Sequence, residues 1–387
     1  LPPEATVVGG NFRTSLWEAA FLNAFSAHAG ELEDDSFNTE GGSSWDIGVI
    51  PPLLSLVQGL RLSGKTLMEA LVVGLEVHVR TCLSPTTQIG YGVFPAAIGP
   101  AVGAARVLGL NKEQTMSAIG LALSTVPLSM INLGTDAHFY ESAFQSLHGL
   151  VSAEMAKEGM SSNPDIVTYL TRLLGEEKVH PEKMIEGLGT KWLLETIWIK
   201  KYPCCWVQHR QLDIFFELRK QYGFSYEDVD TIEVHTSPFD EILNRPDPKT
   251  EGDLQFSFYH TLGTALLDGD VNLKHFNRNI IADPRYKESR SKVKVILHSD
   301  RSNVLMEAPA ELVIRTRDGR TFSGRRQYPI GSPKEPLTTE QVKGLYGKFT
   351  AGFLSPEKIR KTVEAISNLE NLDNIEGLMD DVGRIQG

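Results

Sequence analysis

KTLMEALVVGLEVHVRTCL, residues Lys65 to Leu83, sets Leu67, Leu71, Leu75 and Val79 four apart along one face, with Glu76 one turn before Arg80. The spacing predicts an amphipathic helix. On its C-terminal side, AAIGPAVGAARVLGL (residues 96–110) and TMSAIGLALSTVPLSM (residues 115–130) are apolar nearly all round, and their small residues let neighbouring backbones approach closely. Such helices belong inside a protein. Asn111 with Gln114 predicts a capping pair, and a further helix is expected from Glu141 to Lys157, closed by Gly159. From Thr14 to about Gly175 the chain therefore reads as one all-helical unit.

After about Glu186 the period changes. DTIEVHTS (230–237), SKVKVILHS (291–299) and AELVIRTRDGRTFSGRRQ (310–327) alternate as half-buried strands, and Asp318-Gly319 predicts a two-residue hairpin turn. Helices are expected between them at Gln208–Gln221 and Phe256–Leu267, which makes a small α+β unit. YPIGSPKEPLTTEQV (328–342) marks the exit, and helical pattern resumes at Thr339. The fold class is mainly α: a helical domain over 1–186, an inserted α+β lid over 187–334, and C-terminal helices over 335–387 returning to the first domain.

The 387 residues are 41% hydrophobic and 22% charged, the composition of a globular protein rather than a disordered or fibrous one. A formal net charge of -11 without any Lys/Arg block argues against nucleic acid or an anionic membrane as partner. No apolar run is long enough to span a bilayer. Three cysteines, Cys82, Cys204 and Cys205, make no disulfide framework, so a reducing, cytoplasmic setting is expected.

Three stretches carry candidate chemistry. SAHAGELEDDS (26–36) follows His28 with Glu31, Glu33, Asp34 and Asp35; it lacks the spacing of an EF-hand loop, and its readings are a metal site, an acid/base device or a solvated acidic loop. GTDAHFYES (134–142) places His138, Tyr140 and Glu141 on a short loop leading into a helix, where a histidine beside a tyrosine and a glutamate suits proton transfer. IKKYPCCWVQHR (199–210) offers Lys200 or Lys201 to a substrate carboxylate. Its cysteines read either as a thiolate at a helix entrance or as small buried apolar groups; a zinc set of Cys204, Cys205 and His209 lacks an evident fourth ligand. With no phosphate loop, dinucleotide fingerprint, nucleophile elbow or His-Glu-x-x-His, chemistry without cofactor or metal is expected.

Taken in order, NAFSAHAGELEDD (23–35), GVIPPLLSL (48–56), GPAVGAARVLGL (99–110), KYPCCWVQH (201–209), FSFYHTLGTALLDG (256–269) and KEPLTTEQV (334–342) resemble the MmgE/PrpD family over nearly the whole chain. The resemblance implies a helical domain with an inserted α+β lid, a homodimer, and a site between the two units. The family's helices ahead of the His-Asp segment are expected to be missing here. Members act on small di- and tricarboxylates, removing a proton beside a carboxylate and then losing water or carbon dioxide, or reprotonating.

The family's first catalytic-loop acid falls on Glu31, and the following pair on Glu33 and Asp34. Its next two histidines fall near Ser44 and near Gly90 or Tyr91, its Gly-Thr-x-x-Lys lysine falls on His138, and the decarboxylase branch's tyrosine before Asn-Arg-Pro falls on Ile242. Lys200 and His209 are kept. These departures favour an epimerase-like member (iminodisuccinate epimerase-like) or a divergent lyase; the alternatives are a 2-methylcitrate dehydratase-type hydro-lyase and a non-catalytic ligand binder. The expected roles are His138, Tyr91 and Lys200 in catalysis, with Glu31, Asp34, Ser44, Arg80, Tyr140 and His209 around the substrate.

Overall fold

The computed structural model describes residues 2–38, 41–44, 46–82, 84, 96–125, 132, 134–304 and 307–385, with the backbone alone for 37–38 and 41–44. Two short pairs, β1 (Ala5–Thr6) with β2 (Arg13–Thr14) and β3 (Asp35–Asn38) with β4 (Gly41–Ser44), flank α1 (Leu16–Ala29). The helices α2 (Asp46–Gly59), α3 (Gly64–Cys82), α4 (Ile98–Val107), α5 (Lys112–Ala122) and α6 (Asp136–Lys157) follow. The molecule is mainly α.

Within α3 the ends of the predicted stripe, Leu67 and Val79, are buried, but its middle is not the deepest face. Ala70, Gly74 and His78 are buried while Leu71 and Leu75 are half-buried. Small residues on α4 decide this: a Cβ on Gly74 would lie 3.1 Å from the Gly99 carbonyl oxygen, and one on Gly103 3.1 Å from that of Ala70. The two backbones touch, so the small-residue faces meet and Leu71 and Leu75 turn toward the edge of the contact. Asn111 and Gln114 form the expected capping box of α5.

Helix α6 begins at Asp136, five residues before the expected start, with Thr135 as N-cap and the His138 amide bonded to the Thr135 carbonyl at 3.0 Å. It ends as expected: Gly159 takes φ +93°, and the Met160 amide reaches back to the Met155 carbonyl.

After α7 (Ile166–Leu174) and α8 (Pro181–Ile185), α9 (His209–Tyr222) leads into β5 (Val229–Thr236). Then come α10 (Glu251–Gln255), α11 (Phe258–Asp268), α12 (Arg278–Ala282), α13 (Pro284–Ser291), β6 (Val293–Leu297), β7 (Ala310–Thr316) and β8 (Thr321–Arg326). Ser257 accepts the His260 amide and so starts α11 two residues later than expected. The sheet runs β6-β5-β7-β8, with β5 and β6 parallel and the other pairs antiparallel.

The β7–β8 hairpin turns through three residues rather than two. The Thr316 amide bonds the Arg320 carbonyl, Gly319 stands at φ +85°, and Asp318 accepts the Thr316 hydroxyl. One buried apolar cluster runs from Tyr202 to Phe322. A second joins α1 to α6 and takes in Ile375 and Met379, so the C-terminal end of the chain packs on the first helices. Its last elements are α14 (Thr339–Thr350), α15 (Pro356–Ser367) and α16 (Glu376–Gly383). Among the described residues no helix is long and apolar enough to cross a membrane.

Candidate active site

Helix α1 stops at Ala29, and Glu31 adopts φ +49°, a left-handed conformation that glycine usually takes at this place. That bend carries the acidic run inward. Asp35 then pairs backbone to backbone with Trp198, its amide and carbonyl bonding Trp198 at 3.0 and 2.8 Å. Two residues beyond Trp198, the Lys200 ammonium donates to Glu31 at 3.1 Å and to Glu33 at 2.5 Å. All three side chains are at most 3% exposed. The acidic run is therefore a buried ion cluster rather than a solvated loop.

His28, on the last turn of α1, faces the first turn of α6. Its Nδ1 lies 2.6 Å from the Ser142 hydroxyl oxygen, and that hydroxyl donates to the Phe139 carbonyl. With the serine proton so placed, Nδ1 must be the donor, which leaves the lone pair on Nε2. That Nε2 is buried and unpaired. The His138 ring stands 4.4 Å from the His28 ring, centroid to centroid, and one ring nitrogen of each lies within 4.8 Å of a Glu31 carboxylate oxygen. Phe256 closes the other side of His138, edge to face.

Burial first, and then the nearby Lys200 charge, holds His138 down to about 4. Burial, His138 and Lys200 push His28 well below the usual imidazole range. Both rings are neutral bases at neutral pH. Burial and the Glu33 charge, opposed by Lys200, raise Glu31 to about 8. Lys200 stays charged: burial works against it, but Glu31, Glu33 and Asp35 hold it well above the ordinary lysine range.

The structure brings together three of the expected site residues, His138, Lys200 and Glu31. Asp34 stands one step away, its carboxylate accepting the Asp46 amide at 2.9 Å at the entrance of α2. Arg80 lies elsewhere and is engaged: its Nε donates to Glu76, Nη1 to the carbonyls of Met184 and Glu186, and Nη2 to that of Lys191. It is a structural clamp, because a buried guanidinium needs that many acceptors.

Tyr140 is 51% exposed and stacks on Phe144 outside the molecule. Since 138–142 is helix and not loop, two residues along α6 turn a side chain to the opposite face. His209 is wholly buried against Tyr202 and Trp206, its Nε2 3.3 Å from the Cys204 carbonyl oxygen. Cys204 and Cys205 are buried free thiols, raised by burial, and behave as small apolar groups. Ser44 is described by its backbone only, and Tyr91 lies outside the described residues.

Sequence reasoning passed over His28 as a working base, Ser142, and Glu33 as the second lysine partner. It also passed over Arg245. That cation lies over Phe256, 5.7 Å from the ring centroid, and pairs with Asp253 at 2.8 Å, one aromatic ring away from His138. The only signal was the helical spacing of His138 and Ser142 and the run LNRP around Arg245.

Residues 1–172 match the MmgE/PrpD N-terminal domain and residues 202–371 the MmgE/PrpD C-terminal domain. Cis-aconitate decarboxylase of Homo sapiens is 24% identical over 92% of this chain and 77% of its own length, and that of Mus musculus is 23% identical over 94% and 78%. A cis-aconitate decarboxylase-like protein of Aspergillus oryzae is 23% identical over 97% of this chain and 84% of its own. With both family domains matched in order over most of its length, the chain belongs to the MmgE/PrpD family.

Proposed function

We propose that this protein is an enzyme that removes and returns a proton at the carbon beside a carboxylate of a small di- or tricarboxylate. The observation that carries the proposal is the pair His28 and His138, two neutral imidazoles 4.4 Å apart, one with an unpaired Nε2. One neutral ring takes the proton and becomes an imidazolium, and that imidazolium returns a proton to the carbon. His28 joins His138 as a second candidate base, and the expected role of Tyr91 as opposing donor stands as part of the proposal. Buried Lys200, with Glu31 protonated beside it, meets the enolate-like charge. Arg245 is assigned to the remote carboxylate for its place over Phe256, the ring that packs on His138, and it would share that carboxylate with its Asp253 pairing.

The outcome this set favours is epimerase-like, and the step calls for no redox or group-carrying cofactor. A second reading, decarboxylation of a cis-aconitate-like tricarboxylate, is favoured by the relatives aligned over nearly the whole chain. It would use the same imidazoles to protonate the carbon that loses carbon dioxide. We also place the enzyme in the cytoplasm as a homodimer. Trp17, Leu22, Tyr140 and Phe144 on α1 and α6 are exposed, and a second copy would cover them.

Proton NMR in deuterium oxide, with citrate, 2-methylcitrate, cis-aconitate, malate and iminodisuccinate, tests both readings. Deuterium wash-in or inversion without new alkene signals supports the first. New alkene signals with loss of carbon dioxide support the second. Inertness of every acid with folded protein overturns both. His28→Ala and His138→Ala should each slow the active reaction by at least about 10²-fold.

A further inference from the structure

We infer that the same buried cluster takes up one divalent first-row transition-metal ion, held by His28, Glu31 and His138. The inference goes beyond the proton-transfer reading and does not rest on it. An ion here would occupy lone pairs that both imidazoles need, so the metal-loaded and proton-transferring states exclude each other.

The donor set is already gathered: one nitrogen of each ring and one carboxylate oxygen, all buried and mutually within 4.8 Å. A tetrahedral ion with bonds of about 2.0–2.1 Å would draw these atoms to about 3.4 Å from one another, an inward shift of roughly an ångström. One donor has nothing else to bind, for His28 Nε2 is buried without a hydrogen-bond partner. The outer contacts that orient metal ligands are also present. Ser142 holds the far nitrogen of His28, and Lys200 holds the other oxygen of Glu31.

Charge points the same way once binding displaces the Glu31 proton: Glu31 and Glu33 then share one ammonium, and the ion supplies the second positive charge. Two imidazoles with one carboxylate suit zinc or iron(II) rather than calcium or magnesium, which take oxygen ligands. Three protein ligands leave a position open for water or a ligand carboxylate.

The test uses the whole chain, stripped by a chelator and titrated with zinc by calorimetry and with cobalt(II) by visible absorption. The expected result is one ion per chain, with uptake lost in His28→Gln and His138→Gln. It should be kept in His235→Gln, which breaks the other close histidine pair, His235 and His298 at 2.9 Å. No uptake at millimolar metal, or uptake lost only in His235→Gln, overturns the proposal. Should a variant fail to fold, nitrogen-15 NMR of histidine-labelled wild type decides the matter. Zinc must shift two buried rings, and shifts confined to exposed histidines sink it. Deuterium exchange on the stripped protein is read separately, so either reading can fail alone; where exchange occurs, zinc should silence it.

Discussion

Lys200 is the cation on which two buried carboxylates depend, and its removal would leave both without a counter-charge. Lys200→Met should cost about 3–5 kcal/mol of folding stability in denaturant unfolding, and Lys200→Met with Glu31→Gln and Glu33→Gln should recover a large part of it. Equal stability of the single and triple variants would refute that account. Lys200, Glu31 and His138 were legible in the sequence because residue type and colinear motif order point to them. The role of His28 was not, since its free Nε2 follows from a serine hydroxyl 114 residues away. The left-handed backbone of Glu31 was equally hidden, because nothing in the residue type announces it.

At the scale of elements, the early start of α6 settles which residues face the buried cluster. A loop would have let His138 and Tyr140 share a surface, whereas a helix puts His138 and Ser142 inside and Tyr140 outside. Helix α3 is anchored in the same manner. Glu76 accepts the amides of Leu193 and Leu194 while Arg80 binds the carbonyls of Met184, Glu186 and Lys191, so one ion pair ties down the segment after α8. Arg80→Met should raise hydrogen exchange of amides 184–194 and lower stability by about 2–4 kcal/mol, the cost of orphaning a buried partner. A raised substrate KM with unchanged exchange would instead restore Arg80 to the substrate. The i, i+4 spacing of Glu76 and Arg80 was readable; their long-range acceptors were not.

The whole molecule encloses neutral histidines, and this sets its response to acid. Burial, opposed by the Ala96 carbonyl, lowers His78 to about 4, and burial, opposed by the His275 carbonyl, lowers His260 to about 3. Below the unfolded value near 6.5 the unfolded chain binds protons that the folded chain refuses, so stability falls with pH. Each ring contributes about 1.4 kcal/mol per pH unit, wholly present above about 6.5 and lost as pH falls toward the folded values. Thermal unfolding from pH 7 to pH 4 should show the decline, shallower in His260→Gln; a flat profile in wild type would contradict it.

Hydrophobic period, capping pairs and the switch from helical to strand pattern are local properties, and from them the sequence alone determined the mainly helical architecture and its main elements. Which side chains meet is not local. The buried cluster exists because Lys200 reaches glutamates 167 and 169 residues back along the chain. The first turn of α6 also had to lie against the last turn of α1. Only the packed structure decides such meetings, since they depend on helix faces and backbone bends that no single segment carries.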